Sequence, residues 1–91
     1  MVARVWRVEF DRAAARDLRK LGAEAETRVL NFLRQRIAGS ADPRRLGSAL
    51  AGDLKGLWRY RVGDYRIVAA IEDDHFVVLV VAVGHRREVY R

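Results

Sequence analysis

Cysteine is absent from this 91-residue chain. That excludes disulfide staples, thiolate metal sites and a cysteine nucleophile, and it fits a reducing compartment. Long hydrophobic runs are missing too. The longest, Phe76 to Val83, is far shorter than a membrane span, and the start Met1-Val2-Ala3-Arg4-Val5-Trp6-Arg7 lacks the uninterrupted apolar core of a signal peptide. A soluble, cytoplasmic protein with no membrane partner is expected. Proline occurs once, at Pro43, and lysine only twice, at Lys20 and Lys55, so the formal charge of +6 comes almost wholly from arginine. The guanidinium fork binds phosphate at two points and sheds water more easily than an ammonium, which favours a phosphate-bearing partner. Composition by itself is equally compatible with charge that serves solubility.

Apolar residues make up 51% of the chain and charged residues 33%, a globular balance. The length allows one modest core, so residues 1–91 are read as a single domain. Val5 to Phe10 alternates as a half-buried strand, with Trp6, Val8 and Phe10 on one side and Arg7 and Glu9 on the other. Asp11 is a good N-cap for a helix over roughly 12 to 21, where Ala14, Leu18 and Leu21 recur at helical spacing until Gly22. A second helix starts near Ala23, carries Val29, Leu30, Leu33 and Ile37 on one stripe, and ends at Gly39; Glu24 is spaced to pair with Arg28. The outward face of this helical hairpin is basic, with Arg12, Arg16, Arg19, Lys20, Arg28 and Arg34. Residues 40–56, with the turn-initiating Asp42-Pro43 step, read as a connection that Leu46, Leu50 and Leu54 tuck onto the body, with room for a short strand or helical turn.

From Leu57 the period changes to two. Three strands follow, Leu57 to Val62, Tyr65 to Glu72 and His75 to Val83, joined by the pairs Gly63-Asp64 and Asp73-Asp74. The expected fold is α+β in two layers: the N-terminal strand and helical hairpin pack on one face of a mainly antiparallel C-terminal meander. A type II′ turn at Gly63-Asp64 sets Val62 against Tyr65, Arg61 against Arg66, Tyr60 against Ile67 and Arg59 against Val68. The core face then holds Trp58, Tyr60, Val62, Tyr65, Ile67, Ala69, Ile71, Phe76, Val78, Val80 and Ala82. The other face carries Arg59, Arg61 and Arg66 at one end and an apolar strip, Val68, Ala70, Val77 and Leu79, at the other.

Like charges opposite each other on a sheet cost the fold about 0.2 to 1 kcal/mol. An anion bound between Arg61 and Arg66 turns that repulsion into bidentate attraction, whereas Asp53 or Glu9 bridging the pair would make it structural. RNA phosphate is the expected anion, with Lys55, His85 and Arg87 as further contacts beside Arg59. The apolar strip is expected to be exposed and to receive a partner segment as helix or added strand. Strict alternation puts Arg86 on the core face, and a bulge at Gly84 would swing it onto the arginine face.

Leu50-Ala51-Gly52, the run Leu57-Trp58-Arg59-Tyr60-Arg61-Val62-Gly63-Asp64-Tyr65-Arg66-Ile67-Val68 and the end Val83-Gly84-His85-Arg86-Arg87-Glu88-Val89-Tyr90 together resemble RelE-type toxins of the RelE/ParE superfamily. The resemblance implies a toxin that enters the ribosomal A site and cuts mRNA there without metal or other cofactor. It implies three partners: a cognate antitoxin, the ribosome with its mRNA and rRNA, and operator DNA reached only through the antitoxin complex. By resemblance the catalytic set is Arg61, Arg66, Arg86 and Tyr90. Known members carry lysines on the basic strand, and arginine cannot serve as the base. Proton transfer would fall to Tyr90, His85 or a ribosomal group. A gyrase inhibitor of the ParE branch and a non-catalytic RNA-binding module are the alternatives.

Overall fold

The computed structural model describes residues 5–85. Along the chain come β1 (Arg7–Phe10), α1 (Arg12–Lys20), α2 (Ala23–Phe32), β2 (Ser48–Ala49), β3 (Trp58–Val62), β4 (Tyr65–Glu72) and β5 (Val77–His85), with short 3-10 and π turns between them. The strands form one sheet in the order β1-β5-β4-β3-β2. β1 runs parallel to β5 and the other neighbours are antiparallel. The expected two-layer α+β arrangement is observed. Ala14, Leu18, Val29, Leu33 and Ile37 from the helical side meet Tyr60, Ile67, Ala69, Val78 and Val80 from the sheet in one buried cluster.

Local chemistry sets the helices. The Asp11 carboxylate accepts from the Ala14 N–H at 2.8 Å, satisfying an orphan donor of α1. Gly22, at φ +92, separates α1 from α2, a conformation that costs glycine nothing. The second helix is not uniform: after Phe32 it widens into a π turn over Leu33–Ile37, and the Ala38 N–H reaches back to the Leu33 carbonyl at 2.8 Å. Val29, Leu33 and Ile37 stand four residues apart, and the wider turn keeps all three buried on one line. The expected Glu24–Arg28 pair does not form among the described residues; Arg28 leans instead toward Gly63.

The connection over residues 40–56 contains two 3-10 turns, Pro43–Leu46 and Gly52–Leu54, around β2. Leu46 is 38% exposed, contrary to expectation, because the first turn puts Pro43 inward in its place. The Tyr60 hydroxyl, on a fully buried ring, donates to the Pro43 carbonyl at 2.7 Å. Arg44 holds Asp73 with two hydrogen bonds of 2.9 and 2.6 Å, which ties this connection to the β4–β5 turn. That contact keeps the Asp73 carboxyl below its usual range.

Two corrections concern β5. Its turn from β4 is longer than the Asp73-Asp74 pair: a 3-10 turn over Asp73–His75 and a left-handed Phe76 put Glu72 opposite Val77. The register thereby moves by two residues, so the faces survive. Val80 pairs with Ala69 and Ala82 with Val68, which leaves Val81 as one extra residue in β5. Beyond this bulge the faces exchange: Val83, not Ala82, enters the core, at 4% exposure. β1 ends opposite Val80, and past it the Asp17 carboxylate of α1 accepts from the Val83 N–H at 3.3 Å.

Candidate phosphate site and family

The two-residue turn at Gly63-Asp64 fixes the site. Gly63 has φ +59 while Asp64 is not among the positive-φ residues, as a type II′ turn requires. The expected register follows: Val62 faces Tyr65, Arg61 faces Arg66, Tyr60 faces Ile67 and Arg59 faces Val68. Arg61 is exposed and Arg59 half-buried. Neither makes an ion pair among the described residues, and Glu9 turns to Arg7 instead, at 3.4 Å. The bridging role that Glu9 or Asp53 would have played for Arg61 is therefore unfilled. Arg66 is 8% exposed, its stem packed into the sheet and its Nη1 3.5 Å from the Tyr65 carbonyl.

The bulge considered at Gly84 lies instead at Val81, three residues earlier. It brings Gly84 onto the arginine face directly opposite Arg66, so Arg66 is flanked by Arg61 on one side and by a residue without a side chain on the other. Ser48 stands beyond Arg59 on β2, which stops short of Arg61 and leaves that flank open. The floor has arginine, a small neighbour and an open edge.

His85 is not brought to this floor. It pairs with Tyr65, whose ring it meets edge-on at 6.1 Å, so it leaves β5 from the opposite face. Lys55 is exposed just past the Gly52–Leu54 turn, without an ion pair. Arg86, Arg87 and Tyr90 lie outside the described residues. The apolar strip also differs from expectation. Val68 and Val77 are each 3% exposed and Ala70 and Leu79 half-buried, with Glu9 beside Leu79 and Arg59 beside Val68. Among the described residues no three histidine, aspartate or glutamate side chains gather as a metal site, and no helix is long and apolar enough to cross a membrane.

The sequence pattern of the ParE toxins, toxins of the type II toxin–antitoxin system parDE, matches residues 8–90. This chain belongs to the RelE/ParE superfamily of toxins. Within it, the chain is 36% identical over 84 residues to Toxin RelG of Mycobacterium tuberculosis strain H37Rv, covering 92% of this chain and 94% of the relative. Toxin RelE of the same strain is 36% identical over 86 residues, covering 94% and 87%. Among solved structures, the toxin–antitoxin complex RelBE2 of Mycobacterium tuberculosis superposes with a TM-score of 0.83 at 32% identity, covering 92% of this chain and 94% of that one. The RelE–RelB complex of Pyrococcus horikoshii, at 24% identity and a TM-score of 0.69, shares the fold.

Proposed function

We propose that this superfamily member is the toxin of a type II toxin–antitoxin pair and acts as a ribosome-dependent, metal-independent mRNA endonuclease in the cytoplasm. The observation that carries the reading is the opposed pair Arg61 and Arg66, with Arg61 unpaired and Gly84 leaving room beside Arg66. Kinship with RelG and RelE supports the same branch. In the reaction, a ribose 2′-hydroxyl of mRNA in the A site attacks the adjacent phosphorus while the bond to the 5′-oxygen breaks, leaving a 2′,3′-cyclic phosphate. Arg61 and Arg66 offset the charge that builds on the phosphorane oxygens, with Arg59 holding a neighbouring phosphate.

Arginine stays protonated and moves no proton. His85 faces away from the arginines, so removal of the 2′-proton and protonation of the 5′-oxygen fall to Tyr90 or a ribosomal group. Arg86 joins the set by its resemblance to the RelE-type toxins. Lys55 and Arg87 add long-range attraction to RNA. A cognate antitoxin covers the outer sheet face at Ala70 and Leu79, and the joined pair is what reaches operator DNA.

Mapping mRNA ends after brief expression tests this. Cuts within translated codons that weaken strongly in Arg61→Ala are the expected result; intact mRNA during growth arrest would overturn it. A second reading, inhibition of DNA gyrase, has one specific support, the match to the ParE toxin pattern. It predicts blocked supercoiling that persists in Arg61→Ala.

A further inference from the structure

At the same end of the sheet, on the face away from Arg61, the start of α2 and β4 border an open cavity of about 400 Å3, lined by Leu21, Gly22, Glu24, Ala25, Arg28 and Tyr65 among others. Three side chains give it character. Arg28 is exposed and without a carboxylate partner among the described residues, although Glu24 stands one turn before it. Its guanidinium extends to the hairpin tip, where a Cβ added at Gly63 would lie 2.9 Å from Nη2. Tyr65 presents a half-buried ring, braced edge-on by His85. A cation, an aromatic plane and a carboxylate acceptor around a volume of this size are the fittings of a nucleotide pocket.

Position strengthens the case. Tyr65 and Arg66 are consecutive in β4, so the cavity and the arginine face are two sides of one strand, separated at the end only by the Gly63-Asp64 turn. A single strand with a phosphate at Arg61 and Arg66 has only that turn to cross before reaching Arg28. Gly63, lacking a side chain, keeps the crossing low.

We propose that this cavity is a second nucleotide subsite for single-stranded RNA, with a phosphate on Arg28, the base stacked on Tyr65, and Glu24 accepting from an exocyclic amine. Uracil lacks that amine, so the subsite favours the other bases. The inference rests on the ribonuclease reading and extends its substrate path around the hairpin.

The probe is single-stranded 2′-O-methyl RNA, twelve nucleotides long, which keeps phosphates and bases but cannot be cut. Binding to the full chain is read by fluorescence anisotropy across a salt series. Arg28→Ala is expected to weaken binding roughly tenfold and to lower the slope of log K against log salt by about 0.7, one phosphate's share on a single strand. Tyr65→Leu weakens binding without changing the slope, and Glu24→Gln narrows the difference between adenine-rich and uracil-rich probes. Thermal unfolding confirms that each variant folds, and Arg28→Lys, which keeps the charge, retains the slope if Tyr65→Leu does not fold. Unchanged RNA affinity in Arg28→Ala alongside a loss in Arg61→Ala overturns this subsite alone. If neither variant loses affinity, the ribonuclease reading fails with it. Unchanged RNA affinity with weakened antitoxin binding assigns the cavity to an acidic protein segment and overturns the proposal as well.

Discussion

Arg61 of β3 stands directly across from Arg66 of β4, one pair in from a two-residue turn, and no carboxylate among the described residues pairs with Arg61. In a ladder that begins with a hydrogen-bonded pair at the turn, this second pair is of the closer kind, with Cα atoms about 4.5 Å apart. Arg61→Ala is therefore expected to fold with stability equal to or slightly above the parent, by about 0.2 to 1 kcal/mol, as mutual repulsion disappears. RNA cleavage falls roughly 10- to 100-fold, the value of a charged hydrogen bond to phosphate. Thermal unfolding and mRNA-end mapping on the same variant check both halves.

Tyr60 offers a pH test. Burial of its ring pushes the phenol up from the usual 10.0 to about 12, so the folded chain holds this proton more tightly than the unfolded chain. The resulting stability is complete below about pH 10 and is lost as pH rises from there through 12. Urea unfolding should show a midpoint that falls over this range. In Tyr60→Phe the Pro43 carbonyl loses its donor and stability drops at neutral pH by about 1 to 3 kcal/mol, while the contribution of Tyr60 to the alkaline fall disappears.

How much of this could be read in advance depended on whether residues alternated in polarity. β3 and β4 mix arginine with Val, Tyr and Ile, and glycine at the turn admits the positive φ that a tight hairpin needs, so register and the Arg61–Arg66 pair were legible to the residue. Phe76 to Val83 is apolar throughout. Any phase satisfies such a run, and neither the longer turn before it nor the extra Val81 leaves a mark in composition. The first error moved the register by two and preserved the faces; the second moved it by one and exchanged Ala82 for Val83. The exposed Leu46 and the buried Pro43 have a similar origin, since a 3-10 turn of four residues has too few positions for periodicity to show. The apolar strip was expected to be exposed throughout, yet Val68 and Val77 are buried, which no polarity pattern in the sequence marks.

Leu33 and Ile37 lie in the π turn and are 1% and 0% exposed. Replacing either by alanine leaves a cavity worth about 2 to 5 kcal/mol, a large share of the stability of so small a chain. The expected outcome is a lower midpoint in chemical denaturation with cleavage preserved at low temperature.

Leu79 is half-buried on the outer face, beside Glu9 of β1, well along the sheet from the arginines. Leu79→Lys should weaken antitoxin binding about tenfold or more by setting a charge into an apolar contact, while mRNA cutting by the free toxin persists. Isothermal titration with the antitoxin and end mapping without it separate the two effects.

Val81 is a single supernumerary residue in β5. A chain lacking Val81 would keep Ala82 opposite Val68, Val83 opposite Ile67 and Gly84 opposite Arg66, now in a regular ladder with the same faces. Loss of a paired residue past the bulge is different: without Gly84, His85 would come to stand opposite Arg66 on the arginine face.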